Sequence, residues 1–82
     1  MTTAIAGLNP YQLFQAAFTG ARAPRSSAYK AGVLALLKRQ IAGVALGCPY
    51  HEGSAEFDAF YAGVGEGWEI LGRANRKAGG AK

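Results

Sequence analysis

Eighty-two residues with a net charge of +4 make one domain, 1–82, near the lower size limit for a self-sufficient core. Half of the residues are hydrophobic, but 12 are glycine and many others are alanine, so the core must rest on few large side chains. One cysteine and one histidine exclude an internal disulfide and a complete four-ligand zinc site, and no stretch approaches the roughly 20 apolar residues of a membrane span.

Residues 1–8 carry no pattern that demands structure and are read as a flexible arm. Asn9 followed by Pro10 is a helix start, an amide side chain that caps free N–H groups and a ring already fixed at helical φ. The first helix is predicted over 10–19, with Leu13, Phe14, Ala17 and Phe18 as its buried stripe and Gly20 as its C-cap. The segment ARAPRSS then reverses the chain, and Ser26 or Ser27 opens a second helix predicted over 27–45. Val33, Leu34, Leu37, Ile41 and Val44 are placed on its buried side. Gly32 and Gly43 each weaken a helix interior by roughly 1 kcal/mol against Ala, so a helix end at Gly43 or a close backbone neighbour is expected.

The stretch GCPYHEGS gathers the sole cysteine and the sole histidine with Tyr50 and Glu52. A reactive thiolate needs a nearby cation or a helix N-terminus, whereas Cys48 closes an apolar run directly before a proline. No residue is placed to orient His51 as a base. The stretch reads as a structural corner built by Cys48, Pro49, Tyr50, Gly53 and Ser54. Pro49 halts helix two, Gly53 supplies the turn, Ser54 caps the next helix, and Tyr50 lays a ring across the junction.

The third helix is predicted over 55–75. Glu56 and Asp58 fall in its first turn, where the helix dipole favours acids, and Phe57, Phe60, Tyr61, Val64, Trp68 and Leu71 follow helical spacing as a core stripe. Gly63 and Gly67 lie beside that stripe and admit a close neighbouring helix. Residues 78–82 are read as a flexible tail. With no alternating strand pattern, the class is an all-α domain of three helices.

Charge is distributed in blocks. Residues 1–51 contain Arg22, Arg25, Lys30, Lys38 and Arg39 with no acid, every acid lies between Glu52 and Glu69, and Arg73, Arg76, Lys77 and Lys82 follow. Such clustering suits a phosphate-rich partner, and Arg22, Arg25, Lys30, Lys38, Arg39, Arg73, Arg76 and Lys77 are the candidate nucleic-acid contacts. Tyr61, Gly63, Gly67 and Trp68 form a candidate protein-binding surface, which also suits self-association into a homo-oligomer.

A helix with Tyr29, Ala31 and Gly32, then Cys48-Pro49-Tyr50, then a glycine-containing turn and a helix with Phe60 and Gly63, resembles the bacterial ribosome modulation factor family, whose pattern also occurs in bacteriophage proteins. The resemblance covers about residues 28–70. It implies a helical protein that binds ribosomal RNA and blocks translation by stabilising inactive ribosome dimers. GVGEG, 63–67, lies within a helical pattern rather than after a strand, so it does not fit a nucleotide-binding loop. The expected function is therefore a non-catalytic, cofactor-free and metal-free cytoplasmic protein that associates with the ribosome or its RNA and lowers translation. The alternative expectation is a phage-type inhibitor or adaptor that docks a helical face on a host protein. No leader segment and no membrane association are expected.

Overall fold

Among the described residues there are three helices, and each begins where a polar side chain closes free amide groups. The computed structural model describes residues 9–19 and 25–79, with the side chains of 77–79 outside that description. It contains α1 (Pro10–Ala17), α2 (Ser27–Ala42) and α3 (Ala55–Gly79), and no strand among the described residues. Asn9 Oδ1 accepts from the amides of Tyr11 at 2.8 Å and Gln12 at 3.2 Å. Ser26 Oγ accepts from Tyr29 N at 3.2 Å, and Ser54 Oγ accepts from Phe57 N at 3.0 Å. These are N-caps that satisfy orphan donors of the first turn.

Several boundaries differ from the sequence reading. The first helix ends at Ala17 rather than 19, with Phe18 as its cap residue, and Gly20 lies outside the described residues. The second ends at Ala42 rather than 45, because Gly43 adopts φ 75° and the amides of Gly43 and Val44 return to Arg39 O and Lys38 O at 3.1 and 3.3 Å. That left-handed glycine cap terminates α2 well before Pro49 is reached, so proline is not what stops the helix. At the other end, α3 runs to Gly79 rather than 75, which takes 78 and 79 out of the expected tail. Residues 1–8 and 80–82 lie outside the described residues.

Helices α2 and α3 meet through their backbones. An ideal Cβ built at Gly32 would stand 1.9 Å from Phe60 O, and one built at Gly63 would stand 2.0 Å from Tyr29 O. Each glycine is thus the recess that receives the other helix's carbonyl. One turn on, a Cβ at Gly67 would meet that of Leu36 at 2.9 Å. The register rises on both helices together, from Ser26–Ala28 beside Ala55–Ala59, through Tyr29 and Val33 at Gly63, to Leu36 at Gly67. α2 and α3 therefore run in the same direction, which requires residues 43–54 to return along the pair. The 16 residues of α2 rise about 24 Å, well within the reach of about 40 Å that this connection has when extended.

The core consists of Val33, Leu36, Leu37 and Ile41 of α2 with Ile70 and Leu71 of α3, and Leu46 of the connection packs against it. Phe60, 1% exposed, fills the space above the crossing. The expected α2 stripe needs correction at two places. Leu36 is buried and had no part in it, while Val44 stands 46% exposed, because the helix has ended before it. α1 lies antiparallel on α2, with Lys30 over the Phe18 ring at 5.8 Å and Lys38 over the Tyr11 ring at 5.9 Å. Leu13, Phe14, Ala17 and Phe18 face the core, as their spacing predicts.

Because only backbone fits at the crossing, Gly32→Ala and Gly63→Ala are each expected to destabilise the fold by about 3 kcal/mol or more, in the upper range for overpacking. Gly65→Ala meets nothing within 4 Å and is expected to stabilise by roughly 0.5–1 kcal/mol through helix propensity. Urea unfolding of the three variants checks both signs, and equal effects at all three positions would refute the backbone contact.

Candidate binding surfaces

The residues of GCPYHEGS complete the returning connection and deliver it to α3. Tyr50 sets its ring edge-on to Phe60, with centroids 6.2 Å apart. The Cys48 thiol is half-buried and lies 3.9 Å from Tyr50 O, so it faces a backbone carbonyl of its own turn. His51 is exposed and contributes its carbonyl, which accepts from Ser54 N at 3.1 Å and Ser54 Oγ at 2.7 Å. Gly53 takes φ 89°, a conformation that L side chains rarely adopt. The segment of the expected corner, Cys48, Pro49, Tyr50, Gly53 and Ser54, joins a long crossover to α3 rather than one helix to the next.

Of the helical residues of the family resemblance, Tyr29, Gly32, Phe60 and Gly63 lie at the α2–α3 crossing, and Tyr50 reaches it through Phe60. Tyr29 adds a second link, its hydroxyl donating to Glu66 Oε1 at 2.5 Å, while the Arg25 guanidinium lies 4.8 Å from its ring centroid. Glu66 had no place in the sequence reading, since a pair 37 residues apart leaves no local pattern. At the open end of the pair, Ser26, Ser27, Ala28, Tyr50, Ala55, Glu56 and Ala59 line a shallow recess of about 420 Å³.

The candidate cations divide into separate groups. Lys30 and Lys38 are half-buried on the α1 side, held over aromatic rings. Arg39 is exposed about 100° around α2 from Lys38, so the two do not share a face. Arg25 is exposed at the start of α2, and Arg73 and Arg76 are exposed on the last turns of α3. Arg73 also borders a hollow of about 320 Å³ between α1 and α3. Arg22 and the Lys77 side chain lie outside the described residues.

The aromatic stripe of α3 requires the largest correction. Phe60 and Leu71 are buried, Phe57 and Val64 are half-buried, but Tyr61 is 44% exposed and Trp68 is 53% exposed. The buried face instead carries Phe60, Gly63, Gly67, Ile70 and Leu71, rotated away from the aromatic line. Gly63 and Gly67 are consequently part of the internal contact and not of an outer surface, whereas Tyr61 and Trp68 remain available. Rings of Phe57, Tyr61 and Phe60 are joined at 5.0 and 5.2 Å, which links this exposed edge to the core.

No family model, curated protein or solved structure matches the chain. Among the described residues, no helix is long and apolar enough to cross a membrane, and no group of three or more His, Cys, Asp or Glu is placed to hold a metal ion.

Because Cys48 serves the turn, Cys48→Ser is expected to keep both the fold and any binding activity, with a stability change under about 1 kcal/mol. Tyr50→Ala removes a ring packed on Phe60 and is expected to cost about 3 kcal/mol. Thermal melts beside a binding assay separate the two roles, and loss of binding by a stably folded Cys48→Ser variant would contradict the structural assignment.

Proposed function

We propose that this is a non-catalytic cytoplasmic binding protein of the ribosome modulation factor kind, which associates with ribosomal RNA and lowers translation. The observation that carries the reading is the placement of charge on the fold. The α1–α2 pair contains no acid, and α2 together with its leading residue Arg25 supplies Arg25, Lys30, Lys38 and Arg39. All acids lie on the end of the crossover and on α3. An acid-free basic pair attracts a polyanion at long range and gives affinity with little sequence choice. The assembly of Tyr29, Gly32, Tyr50, Phe60 and Gly63 about one crossing supports the family resemblance as an architecture.

Within this reading the cations act unequally. Lys30 and Lys38 stabilise α1 through their rings, each worth about 0.5–1 kcal/mol, and leave phosphate contact mainly to the exposed Arg25 and Arg39. Arg22 is the further candidate on the acid-free segment, outside the described residues.

A double reversal, Arg25→Glu with Arg39→Glu, is expected to weaken co-sedimentation with bacterial ribosomes at least tenfold. It is also expected to flatten the dependence of log K on log salt by about one to two, one for each phosphate contact removed. Ribosome and RNA association that survives both reversals, with unchanged salt dependence, would refute the proposal.

A further inference from the structure

The exposed edge of α3 has no covering element among the described residues and is neither wholly apolar nor randomly charged. Tyr61 and Trp68, with Phe57 and Val64 behind them, occupy a narrow arc of the helix. At about 100° per residue, Gly65 and Gly72 border that arc on one side, and beyond them lie Asp58 and Arg76. Asp58 and Arg76 are separated by about five whole turns and so share one angular position, one near each end of the helix. Both are exposed, and neither has an ion-pair partner among the described residues. The Arg76 guanidinium lies back along the helix, 3.7 Å from where a Cβ on Gly72 would be, at the border of the aromatic arc.

We propose that this face is the interface of a homodimer in which α3 of one copy packs antiparallel on α3 of the other. The argument is charge complementarity under two-fold symmetry. A two-fold axis perpendicular to the two helices and level with Gly67 keeps each edge on its own side while inverting direction along the helix. Asp58 of one copy then opposes Arg76 of the second, and the same pair forms again at the other end.

The aromatic arc fills the space between those end pairs. Trp68 lies almost on the axis beside Gly65, whose added Cβ would meet nothing within 4 Å, so this glycine leaves a notch for an indole from the second copy. Glu69, on the same edge, is level with Gly65 of the second copy rather than with the other Glu69. Parallel packing about an axis along the helices would put the two Asp58 at one level and the two Arg76 at another, each on opposite edges. No charge would then meet its opposite, so the charges favour the antiparallel sense. The helix is 25 residues long, and its rise of about 37 Å accommodates both end pairs and the central rings.

Sedimentation equilibrium of the full chain over micromolar to millimolar concentrations tests this. A concentration-dependent dimer is expected for the native chain, and Trp68→Lys, verified as folded by its helical circular dichroism, is expected to be monomeric. Asp58→Arg and Arg76→Asp are each expected to weaken the dimer about tenfold, and the two together to restore it to within a few-fold of native. The restoring double variant is the decisive sample, because a merely destabilising change cannot be rescued by its charge-swapped partner. A chain that is monomeric throughout the range overturns the proposal, and so does a dimer in which the double variant is no tighter than the singles. A monomer that loses ribosome association on Trp68→Lys would assign the face to the ribosome instead. The Arg25 and Arg39 reversals leave this interface intact, so failure of the RNA reading does not by itself alter the dimer result.

Discussion

The backbone contact between Gly32 and Gly63 governs the rest of the molecule. Each helix offers the other a position without a side chain, and a carbonyl from the facing helix occupies it. A small chain with few large apolar residues gains from this arrangement. With the two backbones brought together, Leu36, Leu37 and Phe60 each reach nearly complete burial. Packing density in such a core depends on close approach rather than on hydrophobic volume. The entropic disadvantage of glycine in a helix, roughly 1 kcal/mol each, is offset where the resulting approach buries a neighbour fully.

From this contact follows the path of the chain. Matching the two glycines sets α2 and α3 in the same direction, and parallel helices cannot be joined by a tight turn. The segment 43–54 must travel back along the pair, which explains its irregular backbone, its two left-handed glycines and its inward residues Leu46 and Tyr50. Cysteine, proline and tyrosine occur together because the returning strand of chain must be extended, then lodge a ring on Phe60, then turn into α3. The chemical suggestiveness of a clustered Cys and His dissolves once the backbone roles of both are seen.

Much of this was legible from residue types. Asn9, Ser26 and Ser54 mark the helix starts by side-chain chemistry that acts within three residues, and local chemistry is what a sequence displays. Gly43 was ambiguous between a cap and a contact, since both favour glycine, and only the left-handed φ decides it. The failure on α3 has a different cause. Hydrophobic spacing selects the face with the most apolar mass, which is the line of Phe57, Tyr61, Val64 and Trp68. The true inner face is partly glycine and has little apolar mass, so the pattern turned the helix toward its aromatic edge. Leu36 escaped for a similar reason, because its partner surface is Gly67 rather than a bulky side chain. The Tyr29–Glu66 hydrogen bond and the lysines held over α1 rings join positions distant in sequence and leave no periodic trace.

Parallel helices also impose an electrostatic problem that the acids of this chain address. Two N-termini side by side each carry a partial positive charge of about half a unit, and like poles repel. Ser26 and Ser27 at the start of α2 and Ala55 at the start of α3 border one recess, and Glu56 borders the same recess. A carboxylate bordering the starts of both helices has the sign that helix N-termini favour. α2 has no acid of its own in its first turn, whereas α3 has Glu56 and Asp58. The acids at this end therefore sit on α3, and the charged residues of α2 are all cations. Glu52, Glu56 and Asp58 lie where the parallel dipoles begin, whereas Glu66, bonded to Tyr29, and Glu69 lie further along α3. The fold thus accounts for part of the block arrangement of charge, and the acid-free pair of α1 and α2 is its basic side.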